Sequence, residues 1–257
     1  MKLSQGRYWF SLADADMLLW CRAIASERGF DVDVTEPDVS PLAIQGPHAD
    51  ALVAELFGDW TRELRYFWFR ETQLRDIPLV LCRSGWSKQG GFELFLEDGG
   101  RGDELYETVK EAGEQYDIGP GAPNHVESGL MSWGGDTIPD SNPFEAGMGR
   151  FVDVHLEADY IGKDALKAIA RRGPERLFTG LILDGDASSS WPLAARAPVL
   201  ADRTQVGTMS AVVHSHRLGR TIGLAQIASA VVESSIPVTV EAPTGPQGAT
   251  VHSLPFI

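Results

Sequence analysis

From Leu177 to the C-terminus, turn residues cut the chain into short strand-like runs: Phe178 to Leu183, Pro198 to Leu200, Val206 to Val213, Thr221 to Ile227, Pro237 to Glu241 and Thr250 to Leu254. Short runs recurring between turn signals predict an all-β barrel or sandwich, and we take the small antiparallel β-barrel as the expected form. Gly173-Pro174 precedes this change of texture, so the expected division is 1–175 and 176–257. At 257 residues there is room for one large domain or two ordinary ones.

The first region mixes strands with single helices. Tyr8 to Leu12 reads as a buried strand. Asp14 or Asp16 can cap a helix that runs to Gly29, whose apolar residues Met17, Leu18, Trp20, Cys21, Ile24 and Ala25 cover one face. Asp31 to Val34 alternates as a short strand, and Leu42 to Pro47 is a strand ending in a Gly-Pro break before a helix through Phe57. Tyr66 to Leu74 and Ile77 to Cys82 pair around Arg75-Asp76. Asp103 to Tyr116 is an amphipathic helix carrying Leu105, Val109 and Ala112 on one side. A short helix is expected near Val126 to Trp133, and another over Tyr160 to Arg172. Strand runs covered by single helices indicate an α+β class, not a doubly wound parallel sheet.

Within that region the run Ser84-Gly85-Trp86-Ser87-Lys88-Gln89-Gly90-Gly91-Phe92-Glu93-Leu94-Phe95-Leu96 carries the most chemistry. Leu94 and Leu96 alternate with Glu93 and Phe95 at the period of a β-strand. A carboxylate at the start of a strand, beside glycines that let a ligand approach the backbone, suits a planar, nitrogen-rich ligand. The same pattern also describes a hairpin with a solvated Glu at its end.

Composition narrows the partners. The net charge is −14, with no basic stripe, which argues against general nucleic-acid binding. No apolar run approaches the roughly 18 residues of a membrane span, and the N-terminal residues hold no hydrophobic signal core, so a cytoplasmic location is expected. Cys21 and Cys82 read as small buried hydrophobes in a reducing compartment, and neither has neighbours spaced as zinc ligands.

Ordered motifs across almost the whole chain resemble the glycine-cleavage T-protein (aminomethyltransferase) superfamily. Asp38 to Pro47 is similar to its A-x-Q-G-P strand–helix junction, and Ser84 to Glu93 to its folate-site strand. Asn142 to Gly149 resembles its P-x-E-A-G loop and Tyr160 to Leu166 its F-I-G-x-x-A-L step. Val206 to Ser210, Ile222 to Ala225 and Leu254 to Phe256 resemble its C-terminal barrel. Trp86-Ser87-Lys88-Gln89, where T-proteins have a Tyr-Thr-Gly-Glu run, resembles the tetrahydrofolate-dependent demethylases of dimethylsulfoniopropionate. Trp9 to Asp16 and Glu36 to Ala43 point the same way.

The resemblance implies tetrahydrofolate as cofactor and a small-molecule methyl donor as partner, with a sulfonium methyl moving to N5 of the folate. An aminomethyl or N-methyl substrate, or folate binding without catalysis, are the other outcomes it allows. It implies that Glu93 hydrogen-bonds the pterin NH and 2-amino groups, a donor pair suited to a carboxylate. Trp86 would offer an aromatic face to the sulfonium cation, with Phe67 or Trp68 as alternatives. Lys88 and Gln89 would meet the substrate carboxylate or shape the loop, and Phe95 would stand on the folate side where the demethylases tend to have Tyr.

Departures are also expected. Family members begin with roughly a hundred more residues, a domain-sized addition. That stretch carries the acidic residue placed near the reacting nitrogen, so no catalytic residue is assigned here. The segment Pro123 to Ser128 lacks the arginine of the family helix. A strand edge and apolar surface left exposed would predict poor solubility or a homo-oligomer. His214 and His216 share one face of a strand but lack a third ligand and read as barrel surface. Glu145 reads as structural, and Gly119 to Pro123 lacks the Lys and spacing of a phosphate loop.

Overall fold

The computed structural model describes residues 1–12, 17–121, 125–185, 196–243 and 245–257. The chain forms two compact units, Met1–Asn124 and His125–Ile257. The segment from 125 to 175 therefore groups with the barrel strands, while the barrel itself starts at Arg176, next to the boundary read from Gly173-Pro174.

In the first unit, strands β3 (Ser40–Gln45), β4 (Phe69–Leu74), β5 (Ile77–Cys82) and β6 (Gly91–Leu96) form an antiparallel sheet in the order β3-β6-β5-β4. The period-2 pattern separates its two faces. Ile44, Ile77, Leu79, Leu81, Phe92, Leu94 and Leu96 point into one core with helices α2 (Ala49–Phe57) and α3 (Gly102–Gly113). Leu52 and Val53 of α2 and Leu105 and Val109 of α3 close that core at helical spacing. Val80, Cys82 and Phe95 point the other way, where Met1, Leu3, Trp9, Val39 and Phe69 pack on them. Arg75 turns the β4–β5 hairpin with a left-handed φ of 56°. Arg101 holds that turn by donating to the Asp76 carbonyl at 2.9 Å and to its carboxylate at 3.0 Å.

Three expected elements differ. Tyr8 to Leu12 is not a buried strand: β1 (Lys2–Ser4) and β2 (Arg7–Tyr8) make a small hairpin, and Phe10 is 82% exposed. Only Trp9 of that run finds apolar partners. Asp31 to Val34 pairs with no strand among the described residues, so its alternation yields no ladder there. The carbonyl of Val34 instead accepts from Arg22 Nε at 2.8 Å. Val126 to Trp133 forms turns and a bridge, because Gly129 takes a φ of 62° after less than two turns of chain. Helix α1 (Leu18–Glu27) forms, ending before Gly29 at a φ of 65°, but buries only Ala25 and leaves Leu19 and Trp20 exposed. Its expected caps, Asp14 and Asp16, lie outside the described residues.

The second unit is built on a closed six-stranded antiparallel barrel. Its strands are β7 (Arg176–Leu183), β8 (Ala197–Ala201), β9 (Thr204–Ser215), β10 (Arg220–Ala228), β11 (Val238–Ala242) and β12 (Gly245–His252), ordered β10-β7-β12-β11-β8-β9. Strands β7 to β10 each contain one of the runs read from the sequence, while β11 and β12 overlap theirs, with Pro237 before β11 and Ser253-Leu254 after β12. Leu181, Val199, Met209, Ile227 and Val240 are among the residues of its core. Val126 packs with Ile222 and Leu224 in a second cluster. Beside it the buried Glu127 accepts from Ser215 Oγ at 2.5 Å, and its carbonyl takes the Phe256 amide at 3.1 Å. Helix α4 (Lys163–Arg172) lies between the P-x-E-A-G loop and the barrel in sequence. Buried Glu145 accepts from Arg176 at 3.3 Å and gives its carbonyl to the Phe178 amide, a tie between that loop and β7.

Candidate functional site

Glu93 lies on the sheet face opposite the helices, where the register aligns Phe69, Cys82, Glu93 and Ala43 across four strands. Ser84 Oγ donates to Glu93 Oε2, which fixes the carboxylate while Oε1 keeps its acceptor capacity. Phe95 stands two residues along the same face and is 6% exposed, packed with Val80 and Cys82 under the N-terminal residues. It forms the floor beside Glu93 and offers little free surface.

The loop from Ser84 to Gly90 joins β5 to β6 at this end of the sheet. Gln45, at the end of β3 and paired with Gly91, reaches into it. Its Nε2 donates to the Ser84 carbonyl at 3.2 Å, and its Oε1 accepts from Ser87 Oγ at 3.1 Å. Ser87 Oγ in turn accepts from the Gln89 amide at 3.3 Å. Trp86 sits between the two anchored serines and is 37% exposed. Lys88 is exposed and holds a left-handed φ of 53°. Gln89 is half-buried, with its backbone tied into the loop.

Aromatic residues preceding β4 complete the rim. Phe67 is 70% exposed, and its left-handed φ of 64° sets its ring 4.4 Å from that of Tyr66. The backbones of Phe67 and Trp68 bond to Arg83, extending the β4–β5 pairing past the strand ends. Tyr66 donates to the Gly85 carbonyl at 3.1 Å, which links this rim to the Trp86 loop. Burial first, then the Glu93 charge, pushes the Tyr66 phenol above its usual range. Tyr66 and Gln45 were not singled out as site residues by the sequence reading. Gln45 was visible only as part of a strand and a junction motif, and Tyr66 only as the first residue of an expected strand.

Cys82 is buried next to Glu93, and burial followed by that negative charge raises its thiol, against a lowering by the Ser84 hydrogen bond. The expected result with iodoacetamide at pH 8 is one thiol, the half-buried Cys21, alkylated at least about tenfold faster than Cys82, which reacts only after denaturation. Two equally fast thiols on peptide mapping would contradict this packing.

The second unit holds a separate cavity of about 370 Å³, whose walls include Asp136, Arg176, Arg196, Gln205, Ser210 and Gln226. None of the residues singled out for ligand binding lines it. His214 on β9 and His216, one residue past its end, meet edge to face at 5.3 Å. Among the described residues, no group of three His, Cys, Asp or Glu side chains is arranged to hold a metal, and no helix is long and apolar enough to cross a membrane.

Residues 1–155 match the GCVT N-terminal domain, and residues 176–257 match the glycine cleavage T-protein C-terminal barrel domain. The chain belongs to the glycine cleavage T-protein family. Among members of this family, it is 40% identical to the dimethylsulfoniopropionate demethylase of Ruegeria pomeroyi, over 98% of this chain and 69% of that protein. It is 32% identical to an aminomethyltransferase of Synechococcus sp., over 95% of this chain and 66% of that protein. The glycine cleavage system aminomethyltransferase T of Bartonella henselae has the same fold, with a TM-score of 0.74 at 23% identity, covering 94% of this chain and 66% of that one. The T-protein α+β fold and closed C-terminal barrel expected from the sequence are thus both present. The chain spans about two thirds of the length of these T-protein relatives.

Proposed function

We propose that this chain binds tetrahydrofolate over the Glu93 end of its four-stranded sheet and serves the transfer of a methyl group from a sulfonium such as dimethylsulfoniopropionate. The observation that carries the reading is the Ser84-oriented Glu93 carboxylate beside the Trp86 loop, in a chain 40% identical to a demethylase of that substrate. The residues fit the cofactor: a carboxylate with one oxygen held and the other open suits adjacent ring NH and amino donors. When bound, tetrahydrofolate supplies the N5 nucleophile that takes the methyl.

The chain's own work is orientation. Glu93 fixes the angle of the pterin, with Ser84 preventing the carboxylate from rotating away. Trp86 offers the sulfonium an aromatic face, a contact worth about 0.5–2 kcal/mol depending on desolvation. Phe67 shields the approach, and Lys88 and Gln89 meet the donor's carboxylate. Phe95 supports the Glu93 strand from below. Because the leaving thioether would depart neutral with the electron pair of the broken C–S bond, no protein acid is needed at sulfur, and the single proton displaced from the accepting nitrogen would pass to solvent; holding the carbon in line with its acceptor supplies most of the acceleration.

An aminomethyl donor is the second reading, favoured by the 32% identity to aminomethyltransferases. The test is incubation of the chain with tetrahydrofolate and either dimethylsulfoniopropionate or N-methylated amino acids, with methyltetrahydrofolate and the thioether quantified by mass spectrometry. Turnover of the sulfonium alone is expected. Turnover of an amine alone overturns the reading, and tight folate binding with neither donor used makes the chain a non-catalytic folate binder.

A further inference from the structure

We infer that Gln45 is a positioning residue for the methyl-donor side of the site: its carboxamide staples the loop on both sides of Trp86 and so sets where that ring stands. The inference rests on the functional reading above only for what Trp86 does, not for how it is held.

The geometry is specific to an amide. One end of Gln45 donates to the Ser84 carbonyl at 3.2 Å, and the other accepts from Ser87 Oγ at 3.1 Å. Both lengths lie at the outer edge of a normal hydrogen bond, so the pair acts together, not through one strong contact. A carboxylate at this position would present an acceptor to the Ser84 carbonyl, and an apolar isostere would satisfy neither partner.

The glycines of the motif exist in part for this side chain. A Cβ on Gly85 or on Gly91 would fall inside the Gln45 carboxamide, since all three nearest atoms in each case belong to it. Gly91 also holds a φ of 148°, which disfavours a side chain on its own account. Gly85 has no such backbone demand, and the atoms nearest to where its Cβ would stand are those of Gln45. The close approach read from the sequence as room for a ligand is room for a residue about 40 positions earlier in this chain. The antiparallel register Gln45↔Gly91 delivers it.

The test has two arms. Hydrogen exchange of the free protein reads the loop directly: Gln45→Met is expected to speed exchange of the amides from Gly85 to Gly90 at least about tenfold, with β5 and β6 unchanged. Gly85→Ala should do the same, and Gly85→Ala with Gln45→Ala should be no worse than Gln45→Ala alone, because the clash partner is gone. Unchanged loop exchange in Gln45→Met, or a double variant whose effects simply add, overturns the inference.

The kinetic arm asks for a split. Gln45→Met should raise KM for the methyl donor about tenfold while the Kd of tetrahydrofolate moves less than about threefold. Equal losses in both constants, together with a lowered melting temperature, would reduce Gln45 to a fold residue and overturn its positioning role. If the wild-type chain turns over neither donor, the functional reading fails, yet the exchange arm still decides how the loop is held.

Discussion

Glu93→Gln is expected to weaken tetrahydrofolate binding about 100-fold while leaving the melting temperature almost unmoved. The carboxylate is fixed by Ser84 on the sheet face away from the helical core, so on the proposed folate reading its charge is there for a ligand and the packing does not depend on it. Two charge-assisted hydrogen bonds to a ring NH and an amino group are each worth about 1.5–3 kcal/mol. A glutamine presents an NH₂ to one of those donors, and a loss of about 3 kcal/mol corresponds to about 100-fold in Kd. Titration of the variant by calorimetry measures this. Binding within threefold of wild type would remove Glu93 from the folate site.

The residue before it should behave in the opposite way. Phe92 is 0% exposed and sits in the core between the sheet and helices α2 and α3. Its ring also lies under the Arg83 guanidinium at 5.1 Å, whose ion pair with Asp50 at 2.9 Å ties the chain just after β5 to α2. Phe92→Ala removes a large buried side chain and leaves a cavity, at a cost of about 3–5 kcal/mol. Against a typical domain stability of about 5–15 kcal/mol, that leaves the first unit marginal or unfolded at 37 °C. Urea titration followed by circular dichroism should show a large drop in midpoint. A loss below about 1 kcal/mol would mean that the core relaxes around the missing ring. Adjacent residues on one strand thus face opposite ways, Phe92 into the core and Glu93 toward Ser84.

That separation was legible in the sequence because it depends on local period. The alternation of Glu93 and Phe95 with Leu94 and Leu96 placed the carboxylate and the core on opposite faces, and the structure keeps them there. The barrel was legible for the same reason, as six runs each long enough to show their turns. Alternation misled where no partner strand exists among the described residues, as at Asp31 to Val34, since a ladder needs two chains of hydrogen bonds and a sequence window shows one. The apolar run Tyr8 to Leu12 misled because apolar character does not say what is available to pack against; only Trp9 meets the Phe95 cluster. The roles of Gln45 and Tyr66 were not legible at all. Each acts on a loop 19 or more residues away, through a register that no local pattern records.

The two units end their sheets differently. In the barrel each strand has a neighbour on both sides, so an insertion there can lengthen a loop but cannot add a strand without reopening the ring. Among the described residues the four-stranded sheet has β3 and β4 as its outer strands. Of these rims, β3 carries Pro41, which has no N–H to offer a newcomer, whereas β4 is free of proline. A further strand would therefore meet less hindrance along the outer side of β4 than along β3, while the closed barrel can vary only through its turns.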